Sequence, residues 1–211
     1  MMRKYVTGLT LAALFAAAGA VKAQTIRLSV GPESKLWVEG GSNLHEWSCK
    51  ASSMDAQVEA DEAILKTAPT PALLKKVQIK VPVRELKCGS GKMESNLYKA
   101  LKADDVPQIS YILGTFDVVP TDIADSVTLK TVGALTIAGT EKSVNMTVTT
   151  KRLADGTLRA TGELPLLMTD FGVKPPTALL GTLRTKNEVT VKFELLVGPQ
   201  AVSAAATGAL R

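Results

Sequence analysis

Aromatic residues make up only 4% of this 211-residue chain, and histidine occurs once, at His45. With so few rings to interleave among its lysines, the chain lacks the clustered basic and aromatic face of a nucleic-acid binder, and no nucleic-acid partner is expected. Cysteine occurs twice, at Cys49 and Cys88, with no C-x-x-C spacing. One histidine, two cysteines and dispersed carboxylates fall short of the three or four clustered ligands that zinc or copper requires, so neither a metal centre nor a cofactor is expected. No serine lies in a G-x-S-x-G elbow, and no nucleophile sits beside an evident base and orienting group. Asp170-Phe171-Gly172 matches the metal-binding tripeptide of kinases. The glycine-rich loop, the H-R-D segment and the strand lysine that would give it meaning are missing. Asn145-Met146-Thr147 fits a glycosylation acceptor but falls within strand-like periodicity and is set aside.

Long apolar runs are missing too. The longest, Val6 to Ala20, is shorter than the about 20 residues of a membrane-spanning helix, so stable membrane insertion is not expected. With Arg3 and Lys4 before it and Val21-Lys22-Ala23 after it, this run reads as a secretory signal peptide over residues 1–23. The mature chain then begins near Gln24 and resides in the periplasm or is secreted. No cysteine follows the run to take a lipid anchor. Cleavage removes Arg3, Lys4 and Lys22 but no acidic residue, so the net charge falls from +5 to +2 and the basic balance belongs mostly to the leader. Taking 23 residues from 211 leaves 188, enough for one domain with a sizeable core. In an oxidising compartment Cys49 and Cys88 are read as one structural disulfide, with a buried thiol pair as the alternative.

What the mature chain has in quantity is period-two alternation. In Lys76 to Val83 the odd positions Val77, Ile79, Val81 and Val83 are apolar and β-branched, while the even ones are polar or proline. The pattern returns at Val144, Met146 and Val148, at Leu158, Ala160, Leu164 and Leu166, and at Val189, Val191, Phe193, Leu195 and Val197. Further strands are expected at Ser34 to Gly40, Gln108 to Val119 and Ser126 to Ala138. A long strand from Leu44 to Ala60 changes parity near Ala51 to Ser53, which predicts a bulge or bend there. Asp155-Gly156 marks a tight hairpin. Met93, Leu97, Ala100 and Leu101 share one face of a short helix ended before Pro107. A second helical or irregular insert is expected at Thr169 to Lys186, and the Ala-rich end, from Gly198 or residue 199 onward, reads as a disordered tail.

About eight amphipathic antiparallel strands with one or two short helical inserts make an all-β fold, closed as a barrel or stacked as two sheets. A closed barrel of that size is filled by side chains or holds one apolar ligand, and patterning alone fits either.

Four segments, in order, resemble the YceI-like family of bacterial periplasmic polyisoprenoid-binding, lipocalin-like proteins. They are Gly41-Ser42-Asn43-Leu44-His45-Glu46-Trp47-Ser48-Cys49, Lys92 to Tyr98 with Pro107-Gln108-Ile109-Ser110-Tyr111, Gly133-Ala134-Leu135-Thr136-Ile137-Ala138-Gly139-Thr140-Glu141-Lys142, and Met168-Thr169-Asp170-Phe171-Gly172-Val173. The cysteine pair departs from many members of that family. The resemblance implies a lipocalin-like barrel over residues 24–198 that shelters a polyisoprenoid or an isoprenoid-quinone-type molecule, with a fatty acyl lipid as a further form.

The inward rows then predict a tunnel lined by Val81, Leu129, Ile137, Met146, Leu164, Leu166, Val191 and Phe193, with Trp47 and His45 near one strand start. The helix with Leu97, Tyr98 and Leu101, and the insert with Phe171, Leu179 and Leu180, are expected to cover the mouth. His45 has three readings: a hydrogen-bonded polar core residue, a head-group contact, or an acid/base catalyst on an apolar substrate. A filled barrel acting as a protein-interaction module remains the other alternative. The oligomeric state stays open, a dimer included.

Overall fold

The computed structural model describes residues 24–178 and 181–199; the expected leader, Leu179, Leu180 and nearly all of the Ala-rich tail lie outside them. Its strands are β1 (Thr25–Val30), β2 (Lys35–Ser42), β3 (Glu46–Ala51), β4 (Asp55–Asp61), β5 (Leu74–Pro82), β6 (Leu86–Lys87), β7 (Gln108–Pro120), β8 (Ser126–Ile137), β9 (Thr140–Arg152), β10 (Leu158–Leu167), β11 (Thr177–Ala178) and β12 (Leu183–Pro199). Helix α1 (Gly91–Ala100) lies between β6 and β7. Single 3-10 turns occupy Glu62–Leu65, Val83–Glu85 and Met168–Phe171.

The register reduces this inventory to eight staves. β1 and β2 lie end to end along one edge of β12, with Val30 opposite Val197 and Lys35 opposite Glu194. β3 and β4 continue each other in the same way, pairing with β2 and β1, and β5 and β6 continue each other against β4 and β3. These three broken strands join β7, β8, β9, β10 and β12 in simple neighbour order, all antiparallel. β12 closes the ring, pairing with β10 along one edge and with β1 and β2 along the other. Closure removes the open edges that an amphipathic sheet would otherwise present.

The expected long strand from Leu44 to Ala60 is the β3–β4 stave, and its parity change falls at residues 52–54, where the strand is interrupted. Two expectations need correction. Ile26, Leu28 and Val30 alternate in β1, a strand ahead of Ser34 to Gly40 that the reading of the alternation did not include. The strand at the other end runs to Pro199, because Gly198 and Pro199 find partners in Ser29 and Leu28. Of the two readings of the 169–186 insert, the irregular one fits the described residues, where the Met168–Phe171 turn is followed by extended chain and β11. Pro175-Pro176 supplies no backbone N–H to a helical turn and biases Lys174 toward extended backbone.

The two ends of the barrel differ. At one end the 3-10 turn Glu62–Leu65 lies across the opening, with Ile64 only 1% exposed and packed with Leu28, Val58, Ala60 and Leu158. Arg152, at the end of β9, fastens this turn by donating to the carbonyl oxygens of Ile64, Leu65 and Thr67. We expect Arg152→Met to lower stability by about 1.5–3 kcal/mol, since hydrogen bonds from a charged donor are among the stronger ones. Denaturant unfolding measures this, and hydrogen exchange should show the amides around Ile64 losing protection first. The opposite end carries α1 and the Met168–Phe171 turn over a cluster of Val81, Val83, Leu86, Leu101, Leu135, Leu164, Phe171 and Val173.

Candidate functional site

The barrel interior is hollow. A cavity of about 640 Å³ runs inside it, lined at the far end by Ile64 and Pro69 and at the near end by α1 and the chain around Thr177 and Leu183. That volume lies within the range of clefts that bury most of a small ligand. The walls are the inward rows of the staves, and they are almost entirely aliphatic. Ile64 and Pro69 are buried, which makes the far end blind. His45, Lys92, Asn96, Leu167 and Thr177 line the near end and are exposed, so the mouth opens there.

Every residue assigned to the tunnel by alternation lies on its wall. Val81 comes from β5, Leu129 and Ile137 from β8, Met146 from β9, Leu164 and Leu166 from β10, and Val191 and Phe193 from β12. Trp47 of β3 and Phe171 of the Met168–Phe171 turn line it as well. α1 presents Met93, Asn96, Leu97, Ala100 and Leu101 to the cavity, placing the helix over the mouth. Tyr98 ties the helix down, its hydroxyl lying 2.9 Å from the carbonyl oxygens of both Arg84 and Leu86. Glu94 accepts from the Cys88 backbone N–H at 2.9 Å.

Cys49 and Cys88 form a disulfide that bridges a separation of 39 residues. It joins the fully buried inner face of β3 to the chain just before α1, so the covering helix is covalently linked to the wall.

His45 departs from the reading of a satisfied core histidine. It lies in the turn between β2 and β3, exposed at the mouth, with its backbone held by Ser42. The turn ends the β2–β3 ladder before the imidazole can reach the interior. Among the described residues no hydrogen bond to that imidazole is seen, and no group of three or more histidine, cysteine, aspartate or glutamate residues is arranged to hold a metal.

Alternation could not show why so large an interior stays open. The Trp47 ring lies over Gly40, the Tyr111 ring over Gly133 and the Phe193 ring over Gly162. A β-carbon built on these glycines would approach the rings to 2.3, 2.5 and 2.6 Å respectively, closer than real atoms come. All three glycines stand at inward positions of β2, β8 and β10, between residues that line the cavity. Each bulky ring therefore lies flat on bare neighbouring backbone instead of projecting across the lumen, a use of aromatic cover over strand glycine. The visible signal in the sequence was an inward-parity glycine in an otherwise aliphatic strand, whose meaning depends on register.

The polar exceptions on the wall are few. Thr131 and Thr150 turn inward but donate to the carbonyl oxygens of Met146 at 2.9 Å and Val127 at 3.3 Å. Tyr111 is different, because its hydroxyl is buried against Gly133, and burial pushes its pKa up, opposed in part by the neighbouring Thr131 side chain.

Comparison with solved structures shows the same fold at low identity. Burkholderia cenocepacia BcnA is 20% identical with a TM-score of 0.63, the match covering 80% of this chain and 99% of that one. A polyisoprenoid binding domain from Saccharophagus degradans, implicated in plant cell wall breakdown, is 12% identical with a TM-score of 0.61 over 82% of this chain and 98% of its own. The Campylobacter jejuni YCEI protein is 13% identical with a TM-score of 0.52 over 94% and 99%. No curated protein sequence matches the chain significantly. The YceI-like domain profile, however, matches residues 37–197, nearly the whole barrel. The chain belongs to the YceI-like family.

Proposed function

We propose that this protein binds and carries a polyisoprenoid, or an isoprenoid-quinone-type molecule, with the apolar chain held inside the barrel. The single observation that carries this reading is the hollow interior: an aliphatic cavity of about 640 Å³, blind at one end and open at the other beneath a tethered helix. The Saccharophagus degradans relative, described as a polyisoprenoid binding domain, supports it. Each buried methylene contributes about 0.8 kcal/mol, so a five-carbon isoprene unit gains roughly 4 kcal/mol before ordering costs are subtracted. Affinity of this kind needs few polar contacts, in keeping with walls that offer few. A fatty acyl chain satisfies the same walls, and its affinity should rise with chain length in the same way.

The hollow interior argues against a filled barrel that serves only as a protein-interaction module. Acid–base catalysis needs an imidazole oriented within reach of the reacting proton. His45 is exposed at the rim instead, which favours a role at the mouth of a binding site. Signal-peptide cleavage near Ala23 would place the carrier in the periplasm or outside the cell. No helix among the described residues is long and apolar enough to cross a membrane.

Trp47 lines the cavity, whereas Trp37 points outward and donates to Glu39 at 2.8 Å. In a Trp37→Phe background, a short polyprenol added to the protein should alter Trp47 fluorescence saturably. His45→Ala should retain that uptake within about threefold, because an exposed rim contact is worth little. A His45→Ala protein that binds the polyprenol normally but loses turnover of an isoprenoid ester would put the enzyme reading in its place.

A further inference from the structure

The rim of the open end combines exposed leucines with basic side chains. Leu44 stands in the turn between β2 and β3 with 67% of its surface exposed, and Leu167 at the end of β10 is 39% exposed. Leu167 pairs with Glu188 of β12, and the same strand pairs Thr185 with Ser42 beside the Leu44 turn, so the two leucines flank one stretch of rim. The projecting turn is braced. Asn43 donates from Nδ2 to the Thr182 carbonyl oxygen at 2.9 Å, and its Oδ1 accepts from the Arg184 N–H at 2.9 Å. Single exposed leucines are ordinary, but these two border the opening of an apolar cavity. Lys92 lines that opening, and Lys174 and Arg184 lie next to residues that do, all three exposed to solvent. Lys186 engages Glu46 at 3.2 Å, and Asp170 and Glu188 are exposed nearby, which leaves the rim a modest positive surplus. The blind end has the opposite character around its own exposed apolar residue. Ile123, 60% exposed, lies between Asp122 and Asp125, with Asp155 in the neighbouring turn, and the Arg152 guanidinium there is taken up by carbonyl oxygens.

We propose that the mouth of the barrel docks on the surface of an anionic phospholipid bilayer, with Leu44 and Leu167 entering the headgroup region and Lys92, Lys174 and Arg184 meeting lipid phosphates. The protein lies on the membrane and does not span it. This rests on the carrier reading above and supplies a step that it needs. Because the far end is blind, an apolar chain enters and leaves only at the mouth. Release into water exposes every methylene of the chain, so the barrier to exchange through water rises with its length. With the mouth seated on a bilayer, the chain passes from one apolar phase to another. The covering helix α1, which brings Lys92 and Met93 to the opening, lies at that contact. Charge sets the orientation, because the carboxylates around Ile123 keep the blind end off an anionic surface.

The test is flotation of the mature protein with vesicles of phosphatidylethanolamine and phosphatidylglycerol, beside vesicles of phosphatidylcholine alone. The wild-type protein should bind the first more tightly, and added salt should weaken that binding, because the charges are exposed. Leu44→Ser should weaken it about three- to tenfold, and Lys174→Gln combined with Arg184→Gln about tenfold or more, while Ile123→Ser leaves it unchanged. None of these four residues lines the cavity, and all are exposed, so melting temperatures should match wild type. Uptake of a polyprenol presented in detergent should likewise be unchanged in every variant. Its transfer from donor vesicles should slow in Leu44→Ser and in the double variant. Vesicle binding that is absent, or that both of these variants leave intact, would overturn the docking while leaving the carrier reading in place. A dimer formed without lipid and abolished by Leu44→Ser would assign the rim to a second copy of the chain and overturn it as well. A protein that binds vesicles as expected but takes up polyprenol from neither source would keep the docking and overturn the carrier reading.

Discussion

Ala160→Trp is expected to abolish most uptake of an isoprenoid chain while the barrel still folds. Ala160 stands on the inner face of β10, opposite Leu195 and Thr150, and lines the lumen. An indole there occupies space that the ligand would otherwise fill. Excluding only three methylene groups at about 0.8 kcal/mol each weakens binding by roughly fiftyfold. A packed interior would respond differently, because overpacking a full core costs about 1–3 kcal/mol of stability and has no binding to remove. Thermal unfolding and the Trp37→Phe fluorescence titration, extended to Ala160→Leu as a smaller obstruction, distinguish the two. Binding should fall in order of side-chain size with little change in melting temperature. Loss of stability in that same order, with uptake unaffected, would mean that the position faces packed side chains.

The second large effect concerns the disulfide. Replacing Cys49 and Cys88 together by alanine should cost roughly 2–4 kcal/mol, the usual range for a bridge closing a loop of this length. Alanine avoids placing a polar hydroxyl at the fully buried Cys49 position. The consequence is functional as well as thermodynamic, because the bridge holds the chain that leads directly into α1. With it gone, the helix keeps only the Tyr98 hydroxyl, the Glu94 contact to Cys88 N–H and its apolar face as attachments. Ligand exchange should therefore accelerate more than equilibrium affinity falls. Urea unfolding measures the first effect, and stopped-flow displacement of a bound polyprenol measures the second. Unchanged exchange rates would show that α1 does not gate the mouth.

The staves were legible because one face of each is dry. Val77, Ile79 and Val81, or Val189, Val191 and Phe193, leave only one way to orient a strand around a core. The same parity therefore named wall residues of the cavity directly. The break in the β3–β4 stave was legible for the same reason, since a change of parity needs an extra residue. Other features depend on what lies opposite, which a single strand's pattern does not contain. Gly40, Gly133 and Gly162 read as ordinary strand glycines until register places Trp47, Tyr111 and Phe193 over them. His45 shares the parity of Trp47, yet the turn held by Ser42 ends the ladder first and leaves it at the rim. Gly198 and Pro199 have no strand propensity of their own and are extended because β1 offers them partners.

The most direct measurement of the central claim is mass spectrometry of an organic extract from the mature protein purified without added lipid, alongside an extract of the Ala160→Trp variant prepared identically. The account predicts a polyisoprenoid or isoprenoid-quinone-type molecule approaching one per wild-type chain and sharply reduced in the variant. An empty wild-type extract, from a protein that also fails to take up added polyprenol or quinone, would contradict it.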